Sequence, residues 1–223
     1  MSNLCGEIDL PTVPLDDIND EIGRIALCTL SAINWGNVKD PADFEKMCTL
    51  AVRGLDALLS YQNYPIRAAQ LATEEFRPLG VGIINFAYFL ARRGLTYSSP
   101  ESLAIVDEFT EAWSYYLLKA SADLAVEQGP CLRWKDLKSA DGRLPIDTYK
   151  RDVDELVPHT ERMPWAELRE QIKQHGQRNA TLMAIMPAET SAQISNATNG
   201  IEPPRALVSV KQSKHGALRQ VVP

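Results

Sequence analysis

The sequence predicts an α/β fold, with short apolar strands separated by amphipathic helices. Three observations carry this. Apolar runs of strand length occupy residues 25–34, 79–84 and 180–187, each close to Gly, Pro or polar turn residues. Between them, apolar residues recur at three- and four-residue steps, the spacing of one helix face. Hydrophobic residues make up 45% and charged residues 23% of the 223, enough for one sizeable core or two small ones.

Taken in order, Ser2 to Ile8 reads as an extended segment. Side chains of a strand alternate, so Asn3, Cys5 and Glu7 would share one face and Leu4, Gly6 and Ile8 the other. An amide, a thiol and a carboxylate then follow at steps of roughly 7 Å. A neighbouring carboxylate raises a thiol's pKa and disfavours the thiolate. This argues against a cysteine hydrolase, for which no histidine is placed either. It suits a cysteine that reacts as neutral thiol or sulfur radical, with Glu7 handling a substrate proton. An ordinary edge strand is the other reading of the same residues.

Pro11 and Pro14 end this segment, and residues 16–23 form a polar turn. Residues 25–34 read as a buried strand bearing Cys28, whose simplest role is that of a small core hydrophobe. Asp40 before Pro41 is a helix start. Phe44, Met47, Cys48, Ala51, Leu55, Leu58 and Leu59 line one face of the helix that follows. Tyr64-Pro65 breaks it, and residues 66–76 form a second helix. Leu79–Ile84 is a strand leading into a turn or helix at 85–91. Its Gly80-x-Gly82 pair signals close backbone packing, because no third glycine completes a nucleotide fingerprint.

The longest helix opens at Ser99-Pro100-Glu101 and runs to about Glu127, before Gly129-Pro130. Leu103, Val106, Phe109, Trp113, Tyr116, Leu117, Ala120 and Leu124 form its stripe. Cys131 and Trp134 fall in a loop, Leu144–Tyr149 in a loop or short strand, and Trp165–His175 in a charged surface helix. After the apolar run ending at Pro187, Thr190-x-x-Gln193 has the form of a capping box. The same hydroxyls and amides could hold a phosphate instead. Residues 206–211 and 217–222 pair as a hairpin across 214–216.

A net charge of -6 with scattered cations speaks against a nucleic-acid surface. No apolar run reaches the roughly 20 residues that cross a bilayer, and no signal-peptide pattern opens the chain. Four cysteines are too few for a disulfide scaffold, so reduced thiols and a cytoplasmic location are expected. His159, His175 and His215 lack metal-ligand spacing, and no metal site is assigned. Both ends look cut, as in the middle of something larger or the product of a split or interrupted gene.

Several separated motifs occur together: Asn3-Leu4-Cys5-Gly6-Glu7, Cys28, Pro187-Ala188-Glu189-Thr190-Ser191, and Ser195-Asn196-Ala197-Thr198-Asn199-Gly200-Ile201-Glu202-Pro203. With Asn85-Phe86-Ala87-Tyr88 and Arg219-Gln220-Val221-Val222-Pro223, the chain resembles the catalytic large subunit of class I ribonucleotide reductase along its whole length. The resemblance implies part of a ten-stranded α/β barrel, with 1–10 as the finger loop and 11–223 as the second half, incomplete at both ends, with helices packed outside. It implies that Cys5 is the thiyl radical taking the ribose 3′-hydrogen, Glu7 the general base and Asn3 a hydrogen-bonding partner of the sugar. Cys28 would be one of two reducing thiols. Ser2, Asn3, Glu7, Pro187, Ala188, Glu189, Thr190 and Ser191 would bind a ribonucleoside diphosphate.

The resemblance further implies no cofactor on this chain, a radical from a metal-containing small subunit, and a dithiol reductant of thioredoxin or glutaredoxin type. Turnover would need complementary N-terminal, and possibly C-terminal, portions of the large subunit. Three positions depart from the family pattern. Gly6 replaces a larger residue, and Ala188 and Ala192 stand where hydroxyls are common. The other reading of the chain is therefore a non-catalytic remnant or assembly module.

Overall fold

The computed structural model describes residues 6–214 and 216–223 and shows an α/β arrangement. Strands β1 (Thr29–Asn34) and β2 (Leu79–Ile84) pair in parallel, Thr29 opposite Leu79 and Asn34 opposite Ile84. A parallel pair needs a long crossover. Helices α1 (Phe44–Tyr61) and α2 (Arg67–Phe76) supply it. Asp40 starts the crossover as expected: its carboxylate accepts the Ala42 N–H at 2.9 Å, and Asp43 completes a capping box around a 3-10 turn at Pro41–Asp43. Arg77 ends α2 in the left-handed region at φ 45°.

Only the second half of the 25–34 run is strand. A ladder can begin only where its partner does, and β2 begins opposite Thr29. Cys28 therefore sits just before β1 rather than on it.

β2 is buried on both faces, and its alternation divides the molecule. Leu79, Val81 and Ile83 join the larger core, with Trp35, Phe44, Phe89, Phe109 and Trp113. Trp35 is the hub of that core, its ring 5.2 Å from Phe44 and 5.3 Å from Phe89. Gly80 and Gly82 point the other way. A Cβ on Gly80 would lie 2.8 Å from Ile8 Cδ1 and 3.0 Å from Ala184 Cβ. One on Gly82 would meet the Ala184 carbonyl at 2.6 Å and run into the Met186 sulfur. The paired glycines thus make room for the opening segment and for residues 184–186.

The expected strand at 180–187 runs parallel to β2 on its free edge but forms a single bridge, Val81 to Met183. The Thr181 hydroxyl donates to the Leu79 carbonyl at 2.9 Å. That acceptor is then spent on a side chain, and the Leu79 amide turns to the Thr181 carbonyl at 3.0 Å, off the register of the Val81 rung.

Helix α3 (Phe86–Ala91) follows β2, and α4 (Pro100–Gln128) starts under a Ser99 cap. Burial of α4 is wider than the expected stripe, because Ala112, Tyr115, Leu118, Ser121, Ala122 and Ala125 are covered too, while Leu103 is exposed. Residues 144–149 are not a strand but a short helix, α5 (Pro145–Thr148), since the Asp147 carboxylate takes the Leu144 N–H at 2.8 Å. Helix α6 (Trp165–His175) is charged outside yet buries Trp165, Leu168 and Ile172. Helix α7 (Glu189–Ile194) precedes the hairpin of β3 (Val208–Ser213) and β4 (Gly216–Val221). Its turn residue His215 lies outside the described residues. The strands described make one parallel pair, extended by the Met183 bridge, and this hairpin; among the described residues no barrel closes.

Two carboxylates are buried in the packing. Asp56 accepts from Arg77 Nε at 2.6 Å, Asn179 Nδ2 at 2.9 Å and Arg178 Nε at 3.2 Å. Glu111, on α4, accepts from the amides of Arg162 at 2.8 Å and Met163 at 3.1 Å, from Trp165 Nε1 at 2.9 Å and from the Arg162 guanidinium at 3.0 Å. Burial alone would raise its pKa, but these donors outweigh burial and hold it below the usual 4.5. A carboxyl depressed by folding stabilises fully above its unfolded value and loses that contribution as pH falls through the folded one. Glu111→Ala is expected to cost roughly 3 kcal/mol at neutral pH, by stranding several donors. Urea unfolding at neutral and acid pH checks this, the gap between wild type and variant narrowing below pH 4.5.

Candidate functional site

The smaller core gathers residues that are far apart in sequence. Ile8 and Leu10 from the opening segment pack with Ile84, Ala184, Met186, Ala188, Ala192 and Ala197. Ala26, Cys28 and Ala32 lie against this cluster, half-buried. The inward face of the glycine-bearing sheet therefore brings together the opening segment, Cys28 and the start of α7. A cavity of about 480 Å³ opens beside them, with Ile8, Leu10, Ala26 and Cys28 in its wall. Arg24 borders it and is held by a two-point ion pair to Glu75, at 2.9 and 2.8 Å.

Ser2, Asn3 and Cys5 lie outside the described residues. Gly6 and Glu7 form a bend, with Gly6 at φ +74°, so the extended geometry expected for residues 2–8 does not run through them. That left-handed conformation strains any residue with a Cβ and suits glycine. Glu7 is half-buried, and its Oε2 is a buried acceptor without a hydrogen-bond partner among the described residues. Such an atom carries an unmet desolvation cost. A donor arriving from a substrate would relieve it.

Helix α7 begins two residues earlier than a Thr190 capping box requires. Its N-cap is Ala188, which offers no side-chain cap, and Thr190 and Ser191 lie inside the first turn. The N–H groups of a first turn have no intrahelical acceptor. Glu189, Thr190 and Ser191 are exposed, and Pro187 with them. Ala188 and Ala192 point the opposite way, 6% and 1% exposed, into the smaller core. Hydroxyls there would be buried in apolar surroundings, so the two alanines pack rather than leave gaps in a phosphate site. The Ala188 N–H is already given to Asn199 Oδ1 at 2.8 Å. Lys211 on β3 pairs with Glu189 at 2.8 Å.

The sequence reading missed the roles of Asn34, Asn85 and Asn199. Asn85 closes β2 at φ +66°, a conformation that asparagine tolerates better than most residues. Its Nδ2 donates to Asn34 Oδ1 at 3.0 Å, and its Oδ1 accepts the Thr198 N–H at 3.1 Å. An asparagine between a strand and a helix is the one local signal of this. The remaining thiols are structural. Cys48 is buried in the larger core, which pushes its pKa up, and burial raises that of Cys131 to about 11. Among the described residues no His, Cys, Asp and Glu group could hold a metal ion. Nor is any helix among them long and apolar enough to cross a membrane.

The family model described as ribonucleotide reductase, barrel domain, matches residues 1–223. The chain is 57% identical over 222 residues to ribonucleoside-diphosphate reductase 1 subunit alpha of Escherichia coli. It is 54% identical over 222 residues to the subunit alpha of Haemophilus influenzae, and 44% identical over 224 residues to that of Enterobacteria phage T4. All of this chain is covered in each case, but it spans only 29% of the length of these relatives.

Proposed function

Because the chain belongs to the ribonucleotide reductase barrel-domain family, we propose that it supplies the radical cysteine, the general base and part of the diphosphate site of a ribonucleoside-diphosphate reductase catalytic subunit. Residues 1–10 act as the finger loop, and 11–223 as part of the second half of a ten-stranded barrel. The observation that carries the reading is the shared core of Ile8, Ala188 and Ala192 with Cys28 against it. Cys5 is three residues from Ile8, and Thr190 and Ser191 lie between the two alanines. On this reading, residues separated by nearly the whole sequence come within reach of one nucleotide, and such proximity supplies much of an enzyme's rate.

Cys5, as a sulfur radical, takes the ribose 3′-hydrogen while Glu7 accepts the 3′-hydroxyl proton and Asn3 holds the sugar hydroxyls. The 2′-hydroxyl leaves as water. Two electrons and two protons come from a dithiol that includes Cys28 and becomes a disulfide, and the 3′-hydrogen returns from Cys5. An external dithiol resets the pair by exchange. Ser2, Pro187 and the first turn of α7, with Glu189, Thr190 and Ser191, hold the diphosphate. Ala188 contributes by shaping that turn, since its amide is already bonded to Asn199.

The partners are a ribonucleoside diphosphate, a small subunit with a metal-generated radical and the portions of the catalytic subunit that lie outside these 223 positions in its relatives. The setting is the cytoplasm. A remnant without activity would be read from Gly6, Ala188 and Ala192, but a positive φ and two buried contacts give each a structural reason. The test is reconstitution. Combining the chain with the complementary portions, the small subunit and a dithiol should convert CDP to dCDP, and omission of the chain should stop it. Assembly into a complex that makes no dCDP would favour the assembly module.

A further inference from the structure

Helix α7 is too short to hold itself in place. Six residues form little more than one turn beyond a costly nucleus, and its N-cap has no capping side chain. The N–H of its N-cap residue is instead held from elsewhere in the chain. Asn199 Oδ1 accepts the Ala188 N–H at 2.8 Å. The loop that carries Asn199 is fastened to the helix by Ala197 N–H to the Ala192 carbonyl at 2.8 Å. Its other attachment is to the sheet. Asn85 donates its own N–H to the Thr198 carbonyl at 2.8 Å, accepts the Thr198 N–H at 3.1 Å and reaches Asn34, the last residue of β1, at 3.0 Å. Asn85 is 4% exposed and Thr198 8% exposed, so these bonds are shielded from water. Hydrogen bonds joined through the backbone of residues 197–199 therefore connect the ends of β1 and β2 to α7 and its N-cap.

We propose that Asn199, braced by Asn85, is a positioning residue that sets the direction of the first turn of α7, and with it the affinity for the diphosphate of a ribonucleotide. The identity of the ligand rests on the function proposed above; the brace rests on the hydrogen bonds alone. Spending the Ala188 amide on Asn199 leaves the next three residues in the open first turn facing outward, with Thr190 and Ser191 among them. A shift of that turn by a fraction of a residue would redirect their amides and hydroxyls together. On the function proposed above, the brace acts through the turn that holds the phosphates, so its loss should fall on binding rather than on chemistry.

The experiment has two arms. In the reconstituted complex, Asn199→Ala should raise KM for CDP about tenfold, the worth of one buried hydrogen bond, while kcat changes less than about threefold. Asn85→Gly, which keeps the left-handed backbone without the side chain, should move KM the same way. By hydrogen exchange on the assembled protein, Ala188 should lose protection in Asn199→Ala and keep it in Asn199→Asp, which retains an acceptor. The exchange arm carries this rescue because an aspartate's charge would itself repel a diphosphate.

An unchanged KM in both variants, a fall in kcat alone, or equal exchange in Asn199→Ala and Asn199→Asp would overturn the proposal. If one variant fails to assemble, the other decides. Absence of dCDP formation by the wild-type complex would strike the proposed reaction, whereas the exchange arm would still read the brace.

Discussion

Cys5→Ser in the reconstituted complex is expected to abolish dCDP formation, a fall of more than about 10⁴-fold, the scale seen when a reacting group is itself removed. The chemistry asks residue 5 to release and recover a hydrogen atom. Sulfur does this readily, and a hydroxyl oxygen does not. Serine keeps the size and the hydrogen-bonding capacity of the side chain, so CDP binding should be retained. Single-turnover assays with excess CDP check this: product at a rate near that of wild type would remove Cys5 from the mechanism.

Glu7→Gln is expected to lower kcat by about 10²–10⁴-fold, the range of a general base, with KM little altered. Its effect on stability should have the opposite sign or none. The Glu7 Oε2 is buried without a partner among the described residues, and an unmet acceptor costs free energy in the resting protein. Groups kept under such strain for function tend to gain stability when replaced. Thermal unfolding and steady-state kinetics on the same variant separate the cases. A variant that is both less stable and fully active would show that the carboxylate only supports the local fold.

Much of the helical architecture was legible because its signals are local. Asp40-Pro41, Ser99-Pro100 and the apolar spacing of α1 and α4 act within one or two turns. Misreadings arose where a distant group decides. The strand at 180–187 is cut short by the Thr181 hydroxyl taking a carbonyl of β2, and β1 starts late because its partner does. The capping box at Thr190 does not form, because α7 starts at Glu189 with the Ala188 N–H held by Asn199, a contact that local spacing cannot reveal. At residues 144–149 the local cap of Asp147 on the Leu144 N–H is held in place by the distant Arg169, at 2.5 and 2.7 Å.

The candidate site shows the same division. Resemblance named Cys5, Glu7, Cys28 and Thr190, but alternation along the strand could not have found the bend at Gly6. The two glycines of β2 were read as close packing, and they do admit Ile8 and Met186 against the sheet. Ala188 and Ala192 looked like losses from a phosphate site until their burial showed which way they face.

The most direct measurement is a structure of the assembled enzyme with CDP bound. The Cys5 sulfur is expected within about 3.5 Å of the ribose 3′-carbon, the range of a near-attack geometry, with Cys28 on the 2′ side and the diphosphate on Thr190 and Ser191. A nucleotide seated with its phosphates away from α7, or with its ribose out of reach of that sulfur, would contradict the convergence from which every role assigned here follows.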